Sequence, residues 1–172
     1  MKRTITGISL LLAVLVPILF GCEIKDDSLD QALHNYAEAV SEELPEDLRL
    51  TIYYLPMSIT TRMPLTAEGL ISHPNTVKIV VGSDELVKHR DLLQKISVSS
   101  LETNKRDPLI DARLYYVLST DENDDLLNVM ISGGALDRRD PIVNGIHVMN
   151  CEAIYDLLAP FLSEKICDMF GI

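Results

Sequence analysis

The chain contains no tryptophan, and aromatic residues make up only 5% of its 172 residues. The chain therefore has few of the aromatic side chains that a platform for stacking sugar rings would need. Basic residues are also few, with 15 lysines and arginines against 26 acidic residues. An acidic surface repels phosphate backbones, so we expect no nucleic-acid partner. The acidic residues are dispersed and 47% of the chain is hydrophobic, which favours a folded domain over a disordered acidic tail.

The common catalytic and metal-binding motifs are missing as well. The sequence has no HExxH, CxxC or GxSxG pattern, and no two of its four histidines have the spacing of a metal-binding pair. The acidic run 121–125 lacks the glycine and the final glutamate of a calcium loop, so it is interpreted as a hairpin turn. We therefore predict no metal and no cofactor. Paired catalytic carboxylates cannot be judged from sequence, because only geometry selects among so many acids.

One long apolar run is present, from Ile8 to Phe20, and it follows the basic residues Lys2 and Arg3. Its length of about 13 residues falls short of the roughly 20 that a membrane-spanning helix needs. A short basic segment followed by such a run is typical of an export signal.

The residues Leu19-Phe20-Gly21-Cys22 end this run and resemble the lipobox of bacterial lipoproteins, although Phe20 stands where a small residue is usual. The resemblance implies that residues 1–21 are a signal peptide and that Cys22 becomes a lipidated N-terminus. The partner would then be a membrane, and the location extracytoplasmic. Each buried methylene contributes about 0.8 kcal/mol, so two or more acyl chains anchor a protein stably. The alternative is an ordinary signal peptide with a chance cysteine.

Lipidation of Cys22 would leave Cys151 and Cys167 as the remaining cysteines of an exported domain. An even number in an oxidising compartment permits one disulfide bridge. Two buried free thiols are the alternative.

The remainder is interpreted as a tether, residues 22–27, and a single domain, residues 28–172. Apolar spacing predicts a helix that runs from Leu29 and is stopped by Pro45. Strands are predicted at 48–55, 57–63, 76–81, 110–120, 126–132 and 142–149, the last with an Asn144-Gly145 bend. Further helices are predicted at 66–70, with Thr66 as its cap, from Ser83 as cap to Ile96, from Asn150 to a break at Pro160, and from Ser163.

This order predicts an α+β domain, with a largely antiparallel sheet of about five to six strands and helices packed on one face. Strand, strand, strand and helix occur in that order twice, which raises the hypothesis of two degenerate halves.

Two tyrosine pairs, Tyr53-Tyr54 and Tyr115-Tyr116, lie on predicted strands. Because side chains alternate along a strand, each pair points one ring to each face of the sheet. An outward row of tyrosines is the best candidate for a binding surface, and packing under a helix or across strands is the alternative.

We therefore expect a lipid-anchored, non-catalytic domain that binds another component of the cell envelope. The alternatives are an envelope hydrolase that uses paired carboxylates and a purely structural surface protein.

Overall fold

The structure is a computed structural model that describes residues 27–41, 43–96, 101–104, 111–133, 140–149, 151–170 and 172. Six helices lie in the described residues: α1 (Asp27–Ala39), α2 (Ala67–Ser72), α3 (Ser83–Leu86), α4 (Arg90–Lys95), α5 (Glu152–Asp156) and α6 (Glu164–Phe170). The strands are β1 (Arg49–Tyr54), β2 (Val77–Gly82), β3 (Ala112–Ser119), β4 (Leu127–Ser132), β5 (Ile142–Val143) and β6 (Ile146–His147). Single 3₁₀ turns follow α3 at Val87–His89 and α5 at Ala159–Phe161.

All six strands form one antiparallel sheet in the order β2-β1-β3-β4-β5-β6. The predicted α+β class is therefore confirmed, with a six-stranded sheet. Within the described residues, two strands come from the first half of the domain and four from the second. This unequal division does not follow the hypothesis of two matching halves.

The main core lies between one face of the sheet and most of the helices. Alternate residues of the strands point into it, as expected for a sheet with one buried face. Leu33 and Tyr36 of α1, Leu93 of α4 and Ile154 of α5 cover that face and are at most 1% exposed. The strand residues of this core are Leu50, Ile52, Val81, Leu114, Tyr116, Leu118, Leu127, Val129, Ile131 and Val143.

A smaller core lies on the opposite face, where α2 packs through Leu70 against Leu55 and Ala112. As predicted, Thr66 caps α2, and its hydroxyl oxygen accepts a hydrogen bond from the Gly69 N–H at 3.1 Å. The second face of the sheet is thus partly covered by one short helix.

The predicted strand at 57–63 is wrong. The segment turns at Pro56, whose carbonyl accepts the Ile59 N–H at 2.9 Å. The Arg113 guanidinium then binds the Ile59 carbonyl at 2.8 Å and the Thr61 hydroxyl at 3.0 Å. These bonds to a strand of the sheet hold the segment as a loop, so its alternating apolar residues do not form a ladder.

Two helix ends also differ from the prediction. Helix α1 ends at Ala39, ahead of Pro45, and the Gln94 side chain donates to the Val40 and Ser41 carbonyls at 3.1 and 2.9 Å. Ser83 is the first residue of α3 and not its cap; its hydroxyl donates to the Pro45 carbonyl at 2.9 Å. The predicted cap Asn150 lies outside the described residues.

The predicted strand 142–149 is a hairpin instead. Asn144 and Gly145 have φ angles of 48° and 81°, the left-handed backbone that a two-residue type I′ turn requires. This turn reverses the chain between β5 and β6, so the Asn-Gly pair separates two strands and does not bend one.

Candidate functional site

A row of side chains crosses the outer face of the sheet, opposite the main core. Strand register places Lys78 of β2, Tyr53 of β1, Tyr115 of β3 and Met130 of β4 side by side. Because directly opposed residues in antiparallel strands share a face, these four side chains form one continuous surface. Both tyrosines are half-buried, and both pack against the smaller core on this face.

The two outward tyrosines form a stacked pair. Their ring centroids lie 6.4 Å apart with an angle of 29° between the ring planes. The Lys78 ammonium nitrogen lies 5.5 Å from the centroid of the Tyr53 ring, within the range of a cation–π interaction. We call these three residues, Lys78, Tyr53 and Tyr115, the tyrosine platform. It combines two aromatic rings, two phenol groups and one positive charge.

The other tyrosine of each pair lies on the core side. Tyr54 is half-buried and packs against the main core, whereas Tyr116 is 0% exposed. The Tyr116 hydroxyl donates a hydrogen bond to the Ile154 carbonyl at 3.0 Å. The predicted binding face of Tyr53, Tyr54, Tyr115 and Tyr116 is therefore corrected to Tyr53 and Tyr115, because a strand alternates its side chains between faces.

Two carboxylates influence the electrostatics of Tyr115. Burial, with a smaller contribution from the charges of Asp125 and Glu68, raises the pKa of Tyr115 to about 12, so its phenol stays neutral and can donate a hydrogen bond. Hydrogen bonds from its own backbone N–H and from Thr66 lower the pKa of Glu68 and keep that carboxylate ionised. Tyr115 thus lies beside the Tyr53–Lys78 pair and within the electrostatic influence of two carboxylates.

Arg113 fixes the loop beside the platform. Strand β3 has a bulge between Ala112 and Leu114, and Arg113 at this bulge is only 9% exposed. Its guanidinium forms an ion pair with Asp111 at 3.1 Å, and the second oxygen of that carboxylate accepts the Leu65 N–H at 3.1 Å. Together with its bonds to Ile59 and Thr61, this pair holds residues 59–65 against the sheet.

Sequence reasoning missed Arg113 because the alternation of Ala112 and Leu114 suggested an exposed arginine on a regular strand. The one available signal was a lone arginine inside an otherwise apolar strand. Since a bulge depends on pairing with distant strands, the local pattern could not locate it.

The two cysteines of the domain are free thiols, which corresponds to the alternative stated for them and not to a bridge. Cys151 is buried and Cys167 is half-buried. The Cys167 sulfur lies 3.8 Å from the Leu162 carbonyl oxygen, and burial raises the pKa of its thiol. Both side chains pack with the main core.

The acidic turn 121–125 joins β3 to β4, as predicted for a hairpin. Asp121 forms an ion pair with Arg49 at 2.7 Å, and the Asn123 side chain accepts the Asp125 N–H at 3.0 Å. Within the described ranges, no three histidine, cysteine or acidic side chains stand close enough together to bind a metal ion.

Cys22 and the apolar run before it lie outside the described residues. In the part of the chain that the structure does describe, none of the helices has the length and apolar character to span a bilayer.

Comparison of the chain with protein-family models, curated proteins and solved structures found no match.

Proposed function

We propose that this chain is a lipid-anchored, extracytoplasmic bacterial lipoprotein whose domain binds another envelope component through the tyrosine platform. The observation that carries the proposal is the stacked, half-buried pair of Tyr53 and Tyr115 with the Lys78 ammonium against the Tyr53 ring. Aromatic residues, tyrosine among them, are enriched at protein interfaces.

The anchor rests on the sequence from Lys2 to Cys22, with its basic start, short apolar run and lipobox-like end. Helix α1 begins at Asp27, only five residues after Cys22. Even a fully extended chain covers about 3.5 Å per residue, so five residues reach less than about 18 Å. A partner of the anchored domain must therefore lie close to the membrane surface.

The hydrolase alternative gains no support from the carboxyl groups whose pKa is clearly shifted. A glycosidase-type or general-acid carboxyl needs a raised pKa so that it holds a proton near neutral pH. Among the described carboxyls with a clear shift, Glu68 and Glu85 both have lowered pKa values, through hydrogen bonds from the backbone and Thr66 and from Lys88, respectively. Such groups remain ionised and suit electrostatic recognition.

Site-specific photo-crosslinking in the full chain tests the platform. A photoreactive phenylalanine analogue would replace Tyr53 and, as a matched control, Val87, which is 54% exposed on the helical side of the domain. We expect irradiation of intact envelopes to give a discrete adduct from position 53 and none from position 87. Identical adduct patterns, or none from either position, would contradict the proposal.

Mass spectrometry of the mature N-terminus tests the anchor separately. The expected N-terminal peptide begins at Cys22 and carries the mass of a diacylglyceryl group. A Cys22→Ser variant should lose the lipid and leave the membrane fraction. An unmodified Cys22, or cleavage elsewhere, would rule the anchor out.

A further inference from the structure

The two edge strands of the sheet differ in whether another segment of the chain pairs with them. At one edge, β6 is followed by a bridge between Val148 and Thr103. The Asn104 N–H donates to the His147 carbonyl at 2.8 Å, and the Met149 N–H donates to the Glu102 carbonyl at 2.6 Å. Residues 102–104 therefore cover this edge. At the other edge, β2 is the last strand, and no further strand pairs with it within the described ranges.

The open edge has few of the features that prevent strand addition. Strand β2 pairs regularly with β1 over all six residues and contains three valines, one isoleucine, no proline and a single charge. Four of its six residues are exposed, including Val77 at 37% and Val80 at 55%. Edge strands that stay single usually carry charges, a proline or a bulge, and β2 has only Lys78 among these features. A regular, apolar edge such as β2 is a template for another strand.

The charges at the two ends of β2 are opposite in sign. Lys78 lies near its start, and Asp84 lies two residues beyond its end, in the first turn of α3. Within the described residues, neither side chain forms an ion pair. An antiparallel copy of the same strand brings each end against the opposite end of its partner. The open edge is thus complementary in charge to itself.

We propose that β2 pairs antiparallel with β2 of a second copy of this chain, across a two-fold axis at Val80. This register places Val80 opposite its own counterpart and Lys78 opposite Gly82 of the second copy. A side chain added at Gly82 would meet no atom within 4 Å, so the space over Gly82 is open to the lysine stem of the second copy. Asp84 follows Gly82 by two residues, at the start of α3.

A second copy fits this edge better than an unrelated strand does. The chain has a net charge of −11, so two copies repel each other unless local charges are matched. The two-fold register brings Lys78 of each copy to the end of β2 that Asp84 follows in the other copy, twice over. It also places both tyrosine platforms on the same side of one continuous sheet. The pairing is proposed independently of what the platform binds, although Lys78 belongs to both the edge strand and the platform.

Disulfide trapping in the full chain tests the register. In Val80→Cys the two new cysteines would face each other at a Cα separation of about 4.5 to 5.5 Å, which suits a disulfide. In the matched variant Lys78→Cys they would be four residues out of register, or roughly 13 Å apart, which is too far. The unaltered chain, with its own three cysteines, sets the background.

After mild oxidation in a gentle detergent, we expect at least about fivefold more linked dimer from Val80→Cys than from Lys78→Cys or the unaltered chain. Equal linkage from both variants, or no dimer above background, would overturn the proposal. Linkage of the Val80→Cys variant only to a different protein would show that the edge binds a foreign strand, and it would overturn the proposal too.

Exchanging the charges of Lys78 and Asp84 tests whether the partner is a second copy of the chain. Lys78→Glu and Asp84→Lys should each weaken self-association of the full chain about tenfold, because each places like charges together at two positions. A mixture of the two variants restores opposite charges at both contacts and should recover the original affinity to within about threefold. Lys165→Glu makes the same charge change on α6 and should leave association unaltered. A mixture as weak as the single variants, measured by sedimentation, would contradict the pairing.

Discussion

The two faces of the central sheet use the same dipeptide in different ways. Tyr116 points into the main core, where it is 0% exposed and its hydroxyl is bonded to the Ile154 carbonyl. Its neighbour Tyr115 points outward, is half-buried and stacks on Tyr53. The inner ring is part of the main core, whereas the outer ring packs against the smaller core and keeps part of its surface exposed. Neighbouring identical residues therefore acquire different surroundings through strand alternation.

Truncation of Tyr116 and of Tyr115 should lower stability by very different amounts. We expect Tyr116→Ala to lower the free energy of unfolding by about 3 to 5 kcal/mol, because it leaves a large cavity in the core. Tyr115→Ala should cost about 1 kcal/mol, since its ring is only partly buried. Urea denaturation of both variants measures the difference. Equal losses would show that the two faces are not distinct.

Two arginine–aspartate ion pairs differ in burial in the same way. The side chains of Arg113 and Asp111 are 11% and 31% exposed, against 47% and 71% for Arg49 and Asp121. Arg113→Met should lower the free energy of unfolding by about 3 kcal/mol, because it leaves Asp111 without its cation and frees the 59–65 loop. The control Arg49→Met should cost less than about 1 kcal/mol. Similar losses from both variants in urea denaturation would contradict the distinction.

Gly133→Ala offers an independent check on Arg113. An added Cβ would lie 2.1 Å from the Arg113 Cγ, so the arginine must move. Denaturation should show a loss of about 1 to 3 kcal/mol. Gly82→Ala, where the added carbon meets no atom within 4 Å, should be close to neutral. A neutral Gly133→Ala would contradict the tight packing of this arginine.

Alkaline pH should affect the inner face. Burial raises the pKa values of Tyr36 and Tyr116 well above the usual 10. The unfolded chain therefore releases these protons first, and stability falls as the pH rises above about 10. Each tyrosine contributes a slope of up to about 1.4 kcal/mol per pH unit. Denaturation at pH 9, 10 and 11 measures that slope, which Tyr36→Phe should reduce; an unchanged slope would oppose this account.

The smallest stability effect is expected on the outer face. Lys78→Met keeps the hydrocarbon stem and removes the charge over the Tyr53 ring. An exposed cation–π contact contributes about 0.5 to 1 kcal/mol, so the loss in the free energy of unfolding should not exceed that value. Lys165→Met is the matched control and should be neutral. A loss above about 2 kcal/mol would make Lys78 a structural residue.

Much of the fold could be predicted because the patterns are local. The amphipathic spacing of Leu33 and Tyr36 marks α1, and the alternation around Ile52 and Leu114 marks β1 and β3. The elements that were predicted wrongly depend on contacts between residues far apart in the sequence. The 57–63 segment alternates like a strand, but Arg113, some 50 residues later, binds it as a loop. Local periodicity contains no information about that partner.

The candidate site was predictable only in part. Alternation correctly places one tyrosine of each pair on each face, but it does not say which face the helices cover. The packing of α1 and α5 decides that Tyr116 is inside. The register that aligns Lys78 with Tyr53 depends on a pairing between β1 and β2 that their sequences do not specify.

The most direct test of the platform's role is the recovery of a bound partner by chemical cross-linking of intact envelopes, compared between the unaltered full chain and variants substituted on one face of the sheet. Tyr53→Ala combined with Tyr115→Ala should reduce the recovered partner at least about tenfold, as expected when central aromatic contacts are removed from an interface. Tyr54→Phe, which changes the adjacent ring on the core side, should leave recovery unaltered. Undiminished recovery with the double variant, while urea denaturation shows it to be folded, would contradict a binding role for the tyrosine platform.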